Sequence, residues 1–177
     1  MATVIGLRDY VSKNNFPGVI LGLSGGIDSA FCAAVAVDAL GKDKVEAYML
    51  PSTYTSENST IDAEDCANRL EINLETISIS DTFLSLEESL KASFEGLPND
   101  ITEENLQSRI RGTILMAISN KKGKMLITTG NKSEVSVGYS TLYGDMNGGF
   151  NPIKDIYKTE LYALANWRNN NLPNNIL

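Results

Sequence analysis

The chain has 177 residues, 42% hydrophobic and 21% charged, the ordinary range for one soluble globular domain with a single core. Its net charge of −7 argues against a general binder of nucleic acid or anionic membrane, and the absence of histidine removes Ser-His-Asp chemistry, imidazole bases and His-ligated metals. Met1 to Ile5 lacks a secretory leader, and the longest apolar run, residues 30–37, falls short of the roughly 20 residues a membrane-spanning helix needs, so a cytoplasmic protein is expected.

Residues 19–23 form a short apolar run ending in a Ser-Gly-Gly turn, and residues 29–40 follow as an Ala- and Val-rich stretch with no breaker. This reads as a buried strand, a tight turn and a helix. A second strand is expected over residues 45–50, stopped by Pro51. A helix over residues 61–70 is expected next, capped by Ser59 or Thr60, then a third strand over residues 75–79. Residues 81–95 read as a helix, and Thr102 opens another, with Leu106, Ile110, Ile114 and Ile118 in an apolar stripe. Residues 125–128 form a fourth strand, residues 138–151 a glycine-rich segment, and residues 158–168 a last helix. Helices alternating with apolar strands predict the α/β class, a doubly wound, mostly parallel sheet with helices on both faces. Cys32 and Cys66 sit in apolar or amphipathic segments without metal-ligand spacing and read as buried thiols.

Gly22, Leu23, Ser24, Gly25, Gly26, Ile27, Asp28 and Ser29 join the first strand to its helix. Such a turn presents unpaired backbone N–H groups and the positive end of a helix dipole, and two glycines let the backbone approach phosphate oxygens. Neither GxxxxGK[ST] nor GxGxxG occurs, which excludes a Walker-type loop and a dinucleotide fingerprint. A carboxylate at Asp28 is repelled by bound phosphate unless a divalent cation lies between them, so Asp28 is a candidate Mg²⁺ ligand.

Residues 24–29 resemble the SGGxDS motif of the PP-loop ATP pyrophosphatases, which split ATP into AMP and pyrophosphate. Residues 129–134 (TGNKSE), 138–146 (GYSTLYGDM) and 152–159 (PIKDIYKT) resemble, in that order, sequences of NAD synthetases. The resemblance implies ATP binding by residues 22–29, Thr129 and Lys158, with catalysis by Asp28 and Lys158. It implies Mg²⁺ held by Asp28 and Glu134, and deamido-NAD bound by Asn105, Arg109, Glu134 and Asp145. Lys154 could share the role of Lys158, whereas Arg111, about 200° from Arg109 on an ideal helix, reads as structural. Leu142 and Gly149 depart from the ammonia-dependent subgroup and, with residues 5–11, look like the carboxyl-terminal domain of the glutamine-dependent one. In that subgroup a nitrilase-like glutaminase precedes the synthetase, and the family continues past the position of Leu177. Residues 1–177 are thus expected to be a synthetase domain, incomplete at its carboxyl end, that lacks the glutaminase and uses free ammonia.

The implied reaction is adenylation of the nicotinate carboxylate of deamido-NAD by ATP, followed by displacement of AMP by ammonia; a homodimer is also implied. The alternatives are another PP-loop enzyme, GMP synthetase-like or a tRNA thiolase, and a non-catalytic nucleotide-binding module. The thiolase would have a basic surface and catalytic cysteines, and the module would lack Asp28, Glu134 or Lys158.

Overall fold

The computed structural model describes residues 2–172. Among them, four short strands form one parallel sheet: β1 (Val19–Gly22), β2 (Val45–Met49), β3 (Asn73–Thr76) and β4 (Met125–Ile127), in the order β3-β2-β1-β4. The helices are α1 (Ala2–Lys13), α2 (Ile27–Leu40), α3 (Glu57–Leu70), α4 (Ser80–Leu90), α5 (Ile101–Lys122), α6 (Lys132–Val137) and α7 (Lys158–Asn171). Parallel neighbours need long crossovers, and these crossovers bring helices onto both faces of the sheet.

The side chains of β1 show why both faces must be covered. Val19 and Leu21 join the larger core with Leu7 of α1, Phe31 and Val35 of α2, Ala63 and Leu70 of α3, and Leu161 of α7. Ile20 points the other way and packs with Tyr48 and Leu126 against Leu115, Met116 and Ile118 of α5. Successive strand residues face opposite sides, so a strand buried on both reads as an unbroken apolar run. Fully burying one such Leu or Ile is worth about 1.5–3 kcal/mol.

The chain winds outward from β1 to β2 and β3, then returns through α4 and α5 to β4 on the other side of β1. Connections leaving the carboxyl ends of β1 and β4 therefore diverge and leave a crevice between them, the place where open α/β sheets bind ligands.

Several boundaries differ from expectation. The third strand is Asn73–Thr76 rather than residues 75–79. Ile77 and Ile79 instead continue the hydrogen bonding, Ile77 N to Met49 O at 2.9 Å and Ile79 N to Pro51 O at 3.0 Å, while Ile79 packs with Leu50, Phe83 and Ile110. Helix α3 starts earlier: Ser56, not Ser59 or Thr60, is its cap and accepts from Ser59 N at 3.1 Å. Helix α4 ends at Leu90, before residue 95. Helix α5 is capped by Asp100, which accepts from Thr102 N at 2.8 Å, while Glu103 reaches back to Asp100 N at 2.9 Å. Helices α1 and α6 carry too little apolar periodicity to be read: α1 buries only Leu7 and Val11, and α6 buries nothing.

Both cysteines are free and buried. Desolvation pushes the Cys66 thiol up to about 11 and the Cys32 thiol higher still, so neither is a nucleophile near neutral pH. A polar cluster fastens the end of α5 to the sheet: Lys122 Nζ donates to Glu46 Oε2 and Tyr48 Oη, both at 2.7 Å, and Lys124 Nζ donates to Glu46 Oε1 at 2.7 Å. The expected break after Leu177 lies outside the described residues.

Candidate active site

The loop after β1 is organised by its own serines. Ser24 N donates to Ser29 Oγ at 3.1 Å, Gly26 N to Ser24 Oγ at 3.3 Å, and Ser29 Oγ to Gly26 O at 2.9 Å. Ser29 is only 2% exposed, and its hydroxyl shapes the loop from inside. Gly25 adopts φ +85°, and a Cβ there would overlap the Ser59 carbonyl oxygen. Gly26 caps α2 without a side-chain hydrogen bond, which leaves the first-turn N–H groups of α2 without a side-chain cap.

Asp28 sits in the first turn of α2 with its side chain 17% exposed. Lys158 Nζ, from the first residue of α7, pairs with Asp28 Oδ2, and Asn131 Nδ2 donates to Asp28 Oδ1 at 2.8 Å. Asn131 is also the cap of α6: its Oδ1 accepts from Glu134 N at 3.1 Å, and its N–H donates to Glu134 Oε2 at 2.9 Å. Asp28, Glu134 and Lys158 thus come together from three helices, with Asn131 touching both carboxylates.

Among the described residues no group of three or more His, Cys, Asp or Glu could hold a metal by itself. Each Asp28 oxygen accepts one hydrogen bond here, and a carboxylate offers about four acceptor sites. Asp28 therefore keeps acceptor sites open to a cation, and Mg²⁺ is commonly held by one or two carboxylates plus substrate phosphates and water.

Beside this cluster a cavity of about 820 Å³ opens at the carboxyl edge of the sheet. Gly22, Leu23, Ser24, Thr129, Asn105 and Asp145 of the expected site line it, whereas Asp28, Glu134, Lys158 and Arg109 are not among its lining residues. Asn105 and Arg109 do project together from α5, and both meet the glycine-rich segment. Thr141 Oγ1 donates to Asn105 Oδ1 at 2.9 Å, and Arg109 Nε to Leu142 O at 3.2 Å. Asp145 N donates to Ser108 Oγ at 3.1 Å, while the Asp145 carboxylate accepts from Thr141 N at 3.0 Å. The close approach needs small residues: a Cβ on Gly112 would lie 2.5 Å from Asn147 Nδ2 and 2.7 Å from Gly144 O.

Two features escaped the sequence reading. Arg111 lines the cavity, its Nε donating to Leu50 O at 2.9 Å, and burial lowers its pKa. Asn131 stands at the centre of the charged cluster; the spacing Asn131-x-x-Glu134 is itself a cap signature, and was its one local signal. Lys154 lies in an exposed turn before α7, not on that helix.

A parallel sheet that carries its glycine loop between β1 and α2, with helices on both faces, defines an α/β domain of the PP-loop ATP pyrophosphatase class. The chain belongs to the NAD synthase family, whose model matches residues 1–177. It is 56% identical over 168 residues to a glutamine-dependent NAD(+) synthetase of Rhodobacter capsulatus, covering 95% of this chain and 30% of that protein. The structure of a glutamine-dependent NAD+ synthetase from Acinetobacter baumannii in complex with ADP superposes with TM-score 0.96 at 51% identity, covering 98% of this chain and 33% of that one. An NH3-dependent NAD synthetase from Campylobacter jejuni, in complex with nitrate, superposes with TM-score 0.86 at 33% identity over 94% of this chain and 70% of that one. The chain spans about 30% of the length of the curated relatives it matches.

Proposed function

We propose that this domain is the ATP-dependent ligase part of an NAD synthetase, which converts deamido-NAD to NAD with ammonia as nitrogen donor and releases AMP and pyrophosphate. The observation that carries the reading is the meeting of Asp28, Glu134 and Lys158 around Asn131, next to the serine-organised loop at the sheet's carboxyl edge. Two carboxylates and a lysine beside a nest of backbone N–H groups suit a triphosphate whose charge must be held and then allowed to leave.

In the first step a nicotinate carboxylate oxygen attacks the α-phosphorus of ATP, a bond to that oxygen forms, and the bond to pyrophosphate breaks. A carboxylate is already nucleophilic, so no general base is required, which suits a chain without histidine. Residues 22–29 and Thr129 hold ATP, and Lys158 stabilises charge gathering on pyrophosphate. Mg²⁺ bound at Asp28 and Glu134 would neutralise phosphate charge. Asn105, Arg109, Glu134 and Asp145 orient deamido-NAD. Ammonia then attacks the acyl carbon, a C–N bond forms, AMP departs and a proton is released.

In a longer protein a glutaminase domain would supply the ammonia from glutamine. The domain works in the cytoplasm as a homodimer; exposed Val137, Tyr139, Tyr143 and Trp167 offer apolar surface for pairing. No helix among the described residues is long and apolar enough to cross a membrane.

The test is incubation of the protein with ATP, Mg²⁺, deamido-NAD and ammonium. NAD and pyrophosphate forming in equal amounts is expected. Pyrophosphate without NAD, or equal turnover when deamido-NAD is omitted, contradicts the reading.

A further inference from the structure

The cap of α6 does more than start a helix. An N-cap needs only an acceptor for the N–H groups of the first turn, and Ser, Thr and Asp supply one as well as Asn. Asn131 uses its Oδ1 for that purpose, toward Glu134 N at 3.1 Å. Its Nδ2 is surplus to capping, and donates to Asp28 Oδ1 at 2.8 Å across 103 residues of sequence. The residue is 1% exposed, so neither arm exchanges freely with water. An amide provides donor and acceptor on one rigid group, and here that group meets a carboxylate on one side and the backbone of a carboxylate residue on the other. The same turn reaches the third charge: Ser133 Oγ accepts from Lys158 N at 3.1 Å, and Lys132 N donates to Ile156 O at 2.9 Å.

We propose that Asn131 is a positioning residue for divalent-cation binding: its side-chain amide fixes the Asp28 carboxylate relative to Glu134, so that both meet one cation on the triphosphate. This rests on the ATP and Mg²⁺ reading above. One Asp28 oxygen is engaged by Lys158, whose ammonium is also needed by phosphate; the bond from Asn131 keeps the carboxylate in register when Lys158 turns to the nucleotide.

The test separates capping from positioning. Asn131→Ser keeps an N-cap acceptor and cannot reach Asp28; Asn131→Thr is a second cap-competent replacement. Binding of ATP is measured by calorimetry in the presence of Mn²⁺, and again in EDTA, for the wild-type protein and both variants, with thermal unfolding in parallel. The expected result is Mn²⁺–ATP binding weakened about tenfold or more in the variants, with metal-free ATP binding changed less than about twofold. Equal weakening of both forms, or of neither, overturns the proposal, as does failure of both variants to fold, which would make the residue a folding element alone. If the wild-type protein shows no Mn²⁺-dependent ATP binding, the ATP reading itself falls and this proposal falls with it.

Discussion

The backbone N–H of Lys158 donates to Ser133 Oγ at 3.1 Å, so the first turn of α7 is tied to the first turn of α6. Through that contact the Lys158 ammonium arrives at Asp28, 130 residues away in sequence, and the charge expected to meet the leaving pyrophosphate is set by main-chain geometry.

Lys158→Met is expected to lower pyrophosphate release by about 10²–10³-fold, the usual cost of removing one group that stabilises developing charge. Stability should change by no more than about 1 kcal/mol, because the Lys158 side chain is 38% exposed and Asp28 retains its bond from Asn131. A coupled pyrophosphate assay and denaturant titration check both; a rate above a tenth of wild type would remove Lys158 from the chemistry.

Gly25 and Gly26 should respond differently to alanine. Gly25 combines φ +85° with a Cβ position that overlaps the Ser59 carbonyl, so Gly25→Ala is expected to cost about 2–3 kcal/mol and to abolish ATP binding. A Cβ on Gly26 meets only Ser24 Oγ at 3.4 Å, so Gly26→Ala should stay within about 1 kcal/mol of wild type. Chemical denaturation and calorimetry with ATP distinguish them.

The seat of the glycine-rich segment can be probed from α5. Gly112→Ala drives a methyl group toward Gly144 O and should lift residues 138–149 from the helix. Faster proteolysis within those residues is expected, together with deamido-NAD affinity about tenfold weaker and ATP affinity within about twofold. Parallel losses for both ligands would mean that the segment serves the whole cavity.

Glu46 gives a pH-dependent contribution to stability. Although desolvation favours its neutral form, hydrogen bonds from Lys122, Lys124 and Tyr48 hold its carboxyl at about 2, below the ordinary 4.5. A depressed folded-state pKa means that the stabilisation is complete above pH 4.5 and is lost as the pH falls through about 2. Glu46→Gln should therefore destabilise by about 1 kcal/mol at pH 7, solvent screening included, with the difference shrinking between pH 4.5 and 2. Urea titrations across that range measure it.

Strands β1, β2 and β4 and helix α2 were legible because burial on both faces of a parallel sheet leaves unbroken apolar runs. Strand β3 was misplaced because the apolar residues that follow it, Ile77 and Ile79, owe their character to packing under α4 and α5 rather than to the strand. Helix α6 has six residues and no buried side chain, so it leaves no periodic trace at all. At the site, the residue types of Asp28, Glu134 and Lys158 were readable from their motifs. The attachment of Glu134 to Asn131 follows the local cap spacing, but the bonds from Asn131 to Asp28 and from Lys158 to Ser133 were not readable, since they join positions far apart in the chain and leave no local pattern.

Isotope transfer from the nicotinate carboxylate tests the central claim most directly. Deamido-NAD labelled with ¹⁸O in that group is turned over with ATP, Mg²⁺ and ammonium, and the AMP is weighed by mass spectrometry. Attack of the carboxylate on the α-phosphorus requires one ¹⁸O atom in each AMP formed. Unlabelled AMP accompanying NAD would contradict it.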